Sequence, residues 1–475
     1  MAETGKSFIK KFIGFSLVPW ITFAMSFISA PISTRLFVPE VLGKINIFNT
    51  YSNLIGLFIL LGLDQAFARF YLERPNNRSK GYLFTFCFSI TYALIFVFGV
   101  LSAPFSLFLS DALFDESDIL LYVLMFVSVF CSATLRYLNL TYRMEQDIKM
   151  YTIQGVLMAF VSKVLHILVG FWDPSYRPAL IVGCTSHLLL ALIFLYVQRH
   201  RFEKIKEYDS YFTKEMFSFA LPLIPVSVLT WVNTSIPQVI MQKTMDYYSI
   251  GIFTSAMGLA NLILVIQSGF NSFWVPYTYE NYKTQTGQFF KVHRYLMCVL
   301  TIFAMLMISF QDVIFLLLGE KYRAAKEFFP FLILGPICYV AGEVAGVGID
   351  ISKRTYYKLY VFASSIIVNL VLCFILRIPL GVPGIAIATS LAAITAMLVK
   401  TYFGEKHYKV VTNYKYMAYC MITILASAAA TLCIPDLLIR NVVVGVIFVA
   451  SLILYRKEVI ELSHIALSFI KKKHN

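Results

Sequence analysis

Apolar runs of about twenty residues recur from one end of this 475-residue chain to the other, and each is long enough to cross bilayer hydrocarbon as an α-helix. The runs fall at residues 12–37, 41–63, 82–109, 117–142, 150–171, 176–197, 212–238, 248–272, 289–318, 326–350, 356–378, 383–403, 414–434 and 437–456. Backbone polar groups in hydrocarbon must be satisfied inside their own segment, so the runs read as helices. They lack the two-residue alternation of a membrane barrel strand. Hydrophobic residues make up 59% and charged residues 14%, with a mean hydropathy of +0.74, values that exclude a water-soluble domain of this length. Pro19, Pro31 and Arg35 interrupt the first run, and no small-residue cleavage site follows a short apolar core, so it reads as a span and not as a signal peptide. The predicted fold is an all-α integral membrane bundle of about fourteen transmembrane helices.

The net charge of +14 would suit a nucleic-acid partner, but its distribution assigns it to topology instead. Lys6, Lys10 and Lys11 precede span 1, and Arg69, Arg74, Arg78 and Lys80 lie between spans 2 and 3. Every second connection thereafter is basic: Arg143 and Lys149; Arg199, Arg201, Lys204 and Lys206; Lys283, Lys291 and Arg294; Lys353, Arg354 and Lys358; Lys400, Lys406, Lys409 and Lys415; and the tail Lys471-Lys472-Lys473. The alternate connections are mostly poor in base, and the one after span 3 carries Asp111, Asp115, Glu116 and Asp118. Lys321, Arg323 and Lys326 after span 9 are the exception. This is the positive-inside pattern, and it predicts a multi-pass protein with both termini in the cytoplasm. Attraction to anionic membrane lipids is a secondary effect, and no nucleic-acid partner is expected. The eight cysteines all lie inside predicted spans with no CxxC pair, as small apolar packing residues do.

The chain also repeats itself. Pro19 and Pro31 in span 1 recur as Pro225 and Pro237 in span 7, an offset of 206 residues (225 − 19 and 237 − 31). Val38-Pro39-Glu40-Val41-Leu42-Gly43 leads into span 2, as Asp246-Tyr247-Tyr248-Ser249-Ile250-Gly251 leads into span 8. Six spans per repeat put both copies in one orientation, related by an axis along the membrane normal. The expected organisation is a six-helix lobe at 1–198, a charged cytoplasmic linker at 199–214, a second pseudo-symmetric six-helix lobe at 215–405, and two extra helices with a basic tail at 406–475.

Polar faces separate a scaffold from a transporter. Thr22, Ser26, Ser29 and Ser33 form a stripe on span 1, and Asn46, Asn49, Thr50, Asn53 and Gly56 form one on span 2. Span 7 offers Ser227, Thr230 and Thr234 with Asn233 beside them, and span 8 offers Thr254, Ser255, Gly258 and Asn261. Small hydroxyl residues also pack helices together, but four stripes at corresponding positions fit a hydrophilic cavity lined by the first two helices of each lobe. Ionisable residues at membrane depth are costly and are functional candidates by default. They are Arg35, Asp64, Arg69, Arg136, Lys163, His166, Glu343, Asp350 and Arg377. Lys163 sits mid-span with His166 three residues on, and the pair points to a water-filled or anion-binding cavity. The sequence holds no P-loop, HExxH, GxSxG or comparable enzyme motif, so no enzymatic activity and no cofactor are expected. Any uphill transport would draw on an ion gradient, H+ or Na+, with Glu343, Asp350 and Asp64 as the acidic candidates.

Residues Pro31-Ile32-Ser33-Thr34-Arg35-Leu36-Phe37-Val38-Pro39-Glu40-Val41-Leu42-Gly43, followed by Leu61-Gly62-Leu63-Asp64-Gln65-Ala66-Phe67-Ala68-Arg69-Phe70-Tyr71, resemble the opening signature of bacterial polysaccharide-repeat flippases. These form the Wzx-type branch of the multidrug/oligosaccharidyl-lipid/polysaccharide exporter superfamily. The resemblance extends loosely over twelve spans, including Leu318-Gly319-Glu320-Lys321-Tyr322-Arg323. It implies a bilobed transporter of the bacterial inner membrane that moves undecaprenyl-pyrophosphate-linked oligosaccharide, for O-antigen, capsule or another surface glycan, from the cytoplasmic to the periplasmic leaflet. It further implies a polysaccharide polymerase machinery as partner. The related lipid II flippase also has fourteen helices, whereas many polysaccharide flippases stop at twelve.

Such an amphiphile needs a wet path for its head and a lateral opening for its tail. Arginine suits a diphosphate, because it offers several donors without losing its charge. The expected anion contacts are Arg35 and then Lys163, with Arg69, Arg136 and His166 in the same path, while Asn46, Asn49 and Asn53, with Asn233 and Asn261, face the sugar. Two rival readings stay open at this point: a multidrug exporter of the same architecture, and a membrane glycan polymerase or ligase. A drug exporter would prefer acidic cavity residues, and a polymerase would need a large outer loop; no outer connection here exceeds about a dozen residues.

Overall fold

The computed structural model of the protein describes residues 5–464 apart from 285, 353, 355 and 412. Side chains are described from Leu17 onward, except at 166, 265, 266, 268, 269, 271–273, 275, 276 and 286. The side chains of Lys6, Lys10, Lys11 and His166, and all of Lys353 and Lys471–Lys473, therefore lie outside the described residues. No strand occurs among the described residues. The backbone divides into two compact units, Met1–Ser235 with Asp246–Gly251, and Ile236–Met245 with Ile252–Asn475.

The first unit opens with α1 (Gly5–Leu36), which runs unbroken through Pro19 and Pro31. A proline removes one helix hydrogen bond, and in a membrane helix neighbouring hydroxyls can satisfy the freed carbonyl groups. Around Pro31, Thr34 Oγ1 donates to the Ala30 carbonyl at 2.8 Å, Ser33 Oγ donates to the same carbonyl at 3.2 Å, and Ser29 Oγ donates to that of Ser26 at 3.2 Å. Helix α2 (Pro39–Leu60) starts on a proline, whose fixed φ suits a first helical turn. It stops where Leu61 (φ 47°) and Gly62 (φ 73°) both turn left-handed. The chain then continues, bent by 54°, as α3 (Leu63–Phe70). A side chain at Gly62 would place its Cβ 2.6 Å from the Ala220 carbonyl oxygen.

Helix α4 (Lys80–Ser102) is capped by Ser79 and passes through a short turn into α5 (Ser106–Phe114). Helix α6 (Ile119–Met144) is capped by Asp118, and α7 (Ile148–Phe160) by Asp147. A π-helical turn at Val161–Leu165 then leads to α8 (His166–Val169) and α9 (Tyr176–Gln198). Helix α10 (Ser210–Ala220) breaks at Leu221-Pro222 before α11 (Leu223–Thr244). Phe67, Tyr71, Phe84, Phe88 and Tyr137 are buried in one aromatic cluster that joins α3, α4 and α6, and Phe212 brings α10 into it.

The segment 199–214 is fastened to the first unit. Arg201 pairs with Glu145 at 2.5 Å, Glu203 accepts from Ser79, and Glu203 N donates to Thr85 Oγ1 at 2.8 Å. Asp209 accepts from Phe212 N at 2.9 Å, from Arg78 Nε at 2.7 Å and from Asn76 Nδ2 at 3.1 Å. These bonds, the backbone one foremost, hold the Asp209 carboxyl at about 2. On the far side of the unit the first turns of α2 and of α12 (Tyr247–Ala260) cross at two glycines. A Cβ on Gly43 would stand 2.0 Å from the Tyr247 carbonyl oxygen, and one on Gly251 1.8 Å from that of Pro39. Positions 39 and 247, like 43 and 251, are 208 residues apart (247 − 39 and 251 − 43), so the crossing is itself pseudo-symmetric. Tyr247 Oη donates to the Phe114 carbonyl at 2.6 Å.

The second unit continues with α13 (Ile263–Asn281), α14 (Thr286–Ser309) and α15 (Gln311–Leu317), then a 3-10 segment at Glu320–Glu327. It is completed by α16 (Phe329–Ala345), α17 (Gly348–Ile351), α18 (Tyr357–Leu380), α19 (Val382–His407), α20 (Lys415–Cys433) and α21 (Leu437–Leu454). The last helix, with the chain that follows it, is pinned to α14 and its continuation at both ends. Arg440, 4% exposed, reaches Asp312 at 2.6 Å, and Lys326 reaches the same carboxylate at 3.2 Å. Arg294 meets Glu458 at 3.2 Å and Glu461 at 3.1 Å. Lys326, one of the three bases that break the charge alternation, thus shares a single carboxylate with Arg440.

Among the described residues, eleven helices are long and apolar enough to cross a membrane, or thirteen when each of two bent helix pairs counts as one span. The span expected at 248–272 is divided into α12 and α13 at Asn261-Leu262, which accounts for the difference from fourteen.

Gly251→Ala is expected to destabilise the protein by about 1–3 kcal/mol through backbone overpacking, whereas Gly183→Ala, where the added methyl meets open space, gains about 0.5–1 kcal/mol of helix stability. Thermal unfolding of the purified variants in detergent separates the two. The Asp209 carboxyl sits below its ordinary value near 3.8, so its contribution is complete above that value and disappears as pH falls towards about 2. Between those pH values the unfolding temperature of wild type should fall more steeply than that of Asp209→Asn.

Candidate functional site: a polar face on α2 and α6

The first unit carries a polar face built by two neighbouring helices. On α2, Asn49 and Asn53 are exposed one turn apart, while Asn46 is half-buried and returns its Nδ2 to the Leu42 carbonyl at 2.8 Å. On α6, Ser132, Arg136 and Arg143 are exposed and Asn139 is half-buried, and their steps of four, three and four residues keep them on one face. The helices approach at Gly56, where a Cβ would lie 4.0 Å from Ser132 Oγ.

An ion pair joins this face to α3. Arg136 Nη2 lies 2.5 Å from Asp64 Oδ2, and Gln65 Nε2 donates to the same oxygen at 3.0 Å. The arginine side chain is 50% exposed and the aspartate 6%. Arg136 lies eight residues before the end of α6 at Met144, hence about 12 Å inside that end at 1.5 Å per residue. That end of α6 is the one carrying the basic connections. Sequence reasoning missed Ser132, Asn139 and Arg143 as companions of Arg136, although their spacing was readable.

The other candidates fall elsewhere. Arg35 is exposed in the last turn of α1, towards the end of the bundle opposite Arg136. Of the α1 stripe, Ser29 is buried and bonded within its helix, so it serves packing there, as does the neighbouring Thr34. Lys163 is half-buried in the π-turn, with no ion-pair partner among the described residues; such turns are frequent at functional sites. Its expected companion His166 has no described side chain. Arg69 pairs with Glu73 at 3.0 Å on an exposed surface, an arrangement worth little.

Asn233 is half-buried with Oδ1 lacking a partner among the described residues, next to exposed Thr230 and Thr234. The neighbouring Trp231 Nε1 donates to the Thr50 carbonyl at 3.1 Å. In the second unit Asn261 is half-buried at the break after α12. Glu343 pairs with Lys400, and Asp350 with Lys358 at 2.6 Å, while Arg377 lies in the last turn of α18 with its ring partner Phe374. Every carboxylate proposed for ion coupling is therefore engaged by a base, and sequence reasoning had counted Lys400 and Lys358 only as topological charge. Among the described residues no group of three or more His, Cys, Asp or Glu is placed to hold a metal.

The apolar helices define a multi-pass membrane protein. Residues 32–327 match the family described as polysaccharide biosynthesis protein, and the chain belongs to that family. Among solved structures, the lipid II flippase MurJ in an inward closed conformation matches with a TM-score of 0.66 and 14% identity, over 94% of this chain and 99% of that one. An inward-facing multidrug resistance transporter of the MATE family, in the MOP superfamily, matches with a TM-score of 0.53 and 15% identity, over 82% and 97%. No curated protein matches the sequence.

If the α2–α6 face is wet, Asn53→Cys and Ser132→Cys in a Cys433→Ser background should react with a charged, water-soluble thiol reagent at least about tenfold faster than Ser29→Cys, because only a hydrated thiol ionises readily. The background matters because Cys433 is the exposed native cysteine and the other seven are buried. Equal rates at all three positions would show the face to be lipid-covered.

Proposed function

We propose that the protein is a flippase for lipid-linked oligosaccharide, carrying repeat units on undecaprenyl pyrophosphate from the cytoplasmic to the periplasmic leaflet of the bacterial inner membrane. The observation that carries this reading is the half-exposed Arg136 on a hydrophilic helix face, in a chain of the polysaccharide biosynthesis family. A sugar diphosphate on a lipid cannot pass through hydrocarbon unaided. A face that offers amides and hydroxyls to sugar and a guanidinium to phosphate supplies what the headgroup loses on leaving water.

In this reading the basic connections and both termini lie in the cytoplasm. Arg136 then stands at the depth of the inner leaflet, where the diphosphate is loaded, and Arg35 towards the outer leaflet, where it is released. Asn49 and Asn53 bridge them along α2, and Lys163 provides a further positive charge within the membrane. Alternating access would be a rocking motion of one repeat against the other. Coupling to H+ or Na+ would require opening one of the pairs Asp64–Arg136, Glu343–Lys400 or Asp350–Lys358. No cofactor is needed, and the glycan product is handed to polymerase machinery making O-antigen, capsule or a related lipopolysaccharide.

In a deletion strain, surface polysaccharide should disappear while single lipid-linked repeat units accumulate in the inner leaflet. Arg136→Ala and Lys163→Ala, inserted at wild-type levels, should each restore about tenfold less glycan than wild type, the worth of one charge-assisted hydrogen bond. Loss of glycan without accumulated repeat units would point to a polymerase or ligase instead, and unaltered glycan with raised drug sensitivity to a drug exporter.

A further inference from the structure

We infer that Asp64 is an internal stand-in for the substrate's phosphate, which holds Arg136 while the site is empty and releases it when a lipid diphosphate arrives. The inference rests on the flippase reading and adds to it a residue that couples loading to the backbone.

The two partners of the pair differ in a way that an ordinary structural ion pair does not require. Arg136 is half open while Asp64 is almost wholly covered, so the guanidinium keeps an open side on which an anion can bind. Among the described residues Asp64 is the partner of Arg136, which leaves further N–H donors for an incoming ligand. A single carboxylate occupies one part of a fork that can grip two oxygens at once. A diphosphate brings more charge and more oxygens than the carboxylate it displaces.

Displacement has a consequence because of where Asp64 is attached. It lies two residues after Gly62, beyond the double left-handed bend of Leu61 and Gly62. Leucine rarely adopts that conformation, which persists when the surroundings over-determine it. Here the surroundings are the packing of Leu63, Ala66 and Phe67 into the aromatic core on one side, and the Asp64–Arg136 bond on the other. An aspartate left in a covered position without its cation is unstable, so a ligand that takes Arg136 also favours a movement of Asp64 towards water. The first turn of α3 moves with it.

Gly62 meets the Ala220 carbonyl at the break between α10 and α11, so the bend of α2–α3 abuts that break. A ligand shifts a conformational equilibrium only by its difference in affinity for the two states. In this arrangement the difference comes from Asp64, which competes with the ligand in one state and not in the other.

The test uses the full-length protein in lipid nanodiscs and farnesyl pyrophosphate as the probe, with farnesyl monophosphate and farnesol as comparison arms. Wild type should bind the diphosphate more tightly than the monophosphate, and farnesol least. Asp64→Asn, which removes the competitor, should bind farnesyl pyrophosphate about tenfold tighter while restoring less surface glycan in cells. Arg136→Gln and the neutral pair Asp64→Asn/Arg136→Gln should both bind about tenfold more weakly than wild type.

The exchanged pair Asp64→Arg/Arg136→Asp keeps an ion pair and serves as the structural control. It should recover the thermal stability lost in Arg136→Gln without recovering binding or transport. If wild type prefers farnesol or does not discriminate, the lipid-diphosphate reading itself fails. If wild type prefers the diphosphate but Asp64→Asn binds no tighter, or the exchanged pair restores transport, the stand-in role is overturned and the pair is structural.

Discussion

A charge taken into hydrocarbon needs a counter-charge or water, because the cost of an uncompensated ion there exceeds what packing can return. That constraint arranges most of the interior chemistry of this protein. Asp64 is held by Arg136, Glu343 by Lys400, and Asp312 by Arg440 and Lys326. The pairs differ in exposure, and the difference separates their roles. Arg440 is shut in at 5% side-chain exposure and pins α21 to the segment after α14. Arg136 is open to half its surface and belongs to a hydrophilic face.

The spans were legible from sequence because each is a pattern written in many residues. An apolar run of twenty residues tolerates errors at its ends. The breaks were less legible. The stop at Leu61 depends on a left-handed leucine, which no propensity foretells. The division of α12 from α13 at Asn261-Leu262 lies inside a run that reads as continuous. Pro222 and Pro225 accompany the break before α11, inside a run that reads as continuous, but two prolines inside α1 produce none, so proline alone does not decide the matter in a membrane helix.

The candidate site was readable in part. Asn49, Asn53 and Arg136 were named from their types and depth, and all three are exposed on neighbouring helices. What sequence could not supply was partnership, since a pair such as Asp64 and Arg136 joins positions 72 residues apart (136 − 64). Lys400 and Lys358 were read as marks of topology because their number and sign suited that role. In the structure the same ammonium groups neutralise Glu343 and Asp350. The hydroxyls of α1 show the converse: in a stripe with the spacing of a cavity wall, Ser29 is buried and donates to the Ser26 carbonyl of its own helix.

The boundary between the compact units does not coincide with the charged segment 199–214. Residues Asp246–Gly251, well beyond it, complete the first unit: their backbone fits against Gly43 and Pro39, and Tyr247 supplies a donor to the Phe114 carbonyl. A fragment ending at residue 214 would leave the crossing at Pro39 and Gly43 without its facing residues, so the fold of the first unit is complete only once the chain has run on to Gly251.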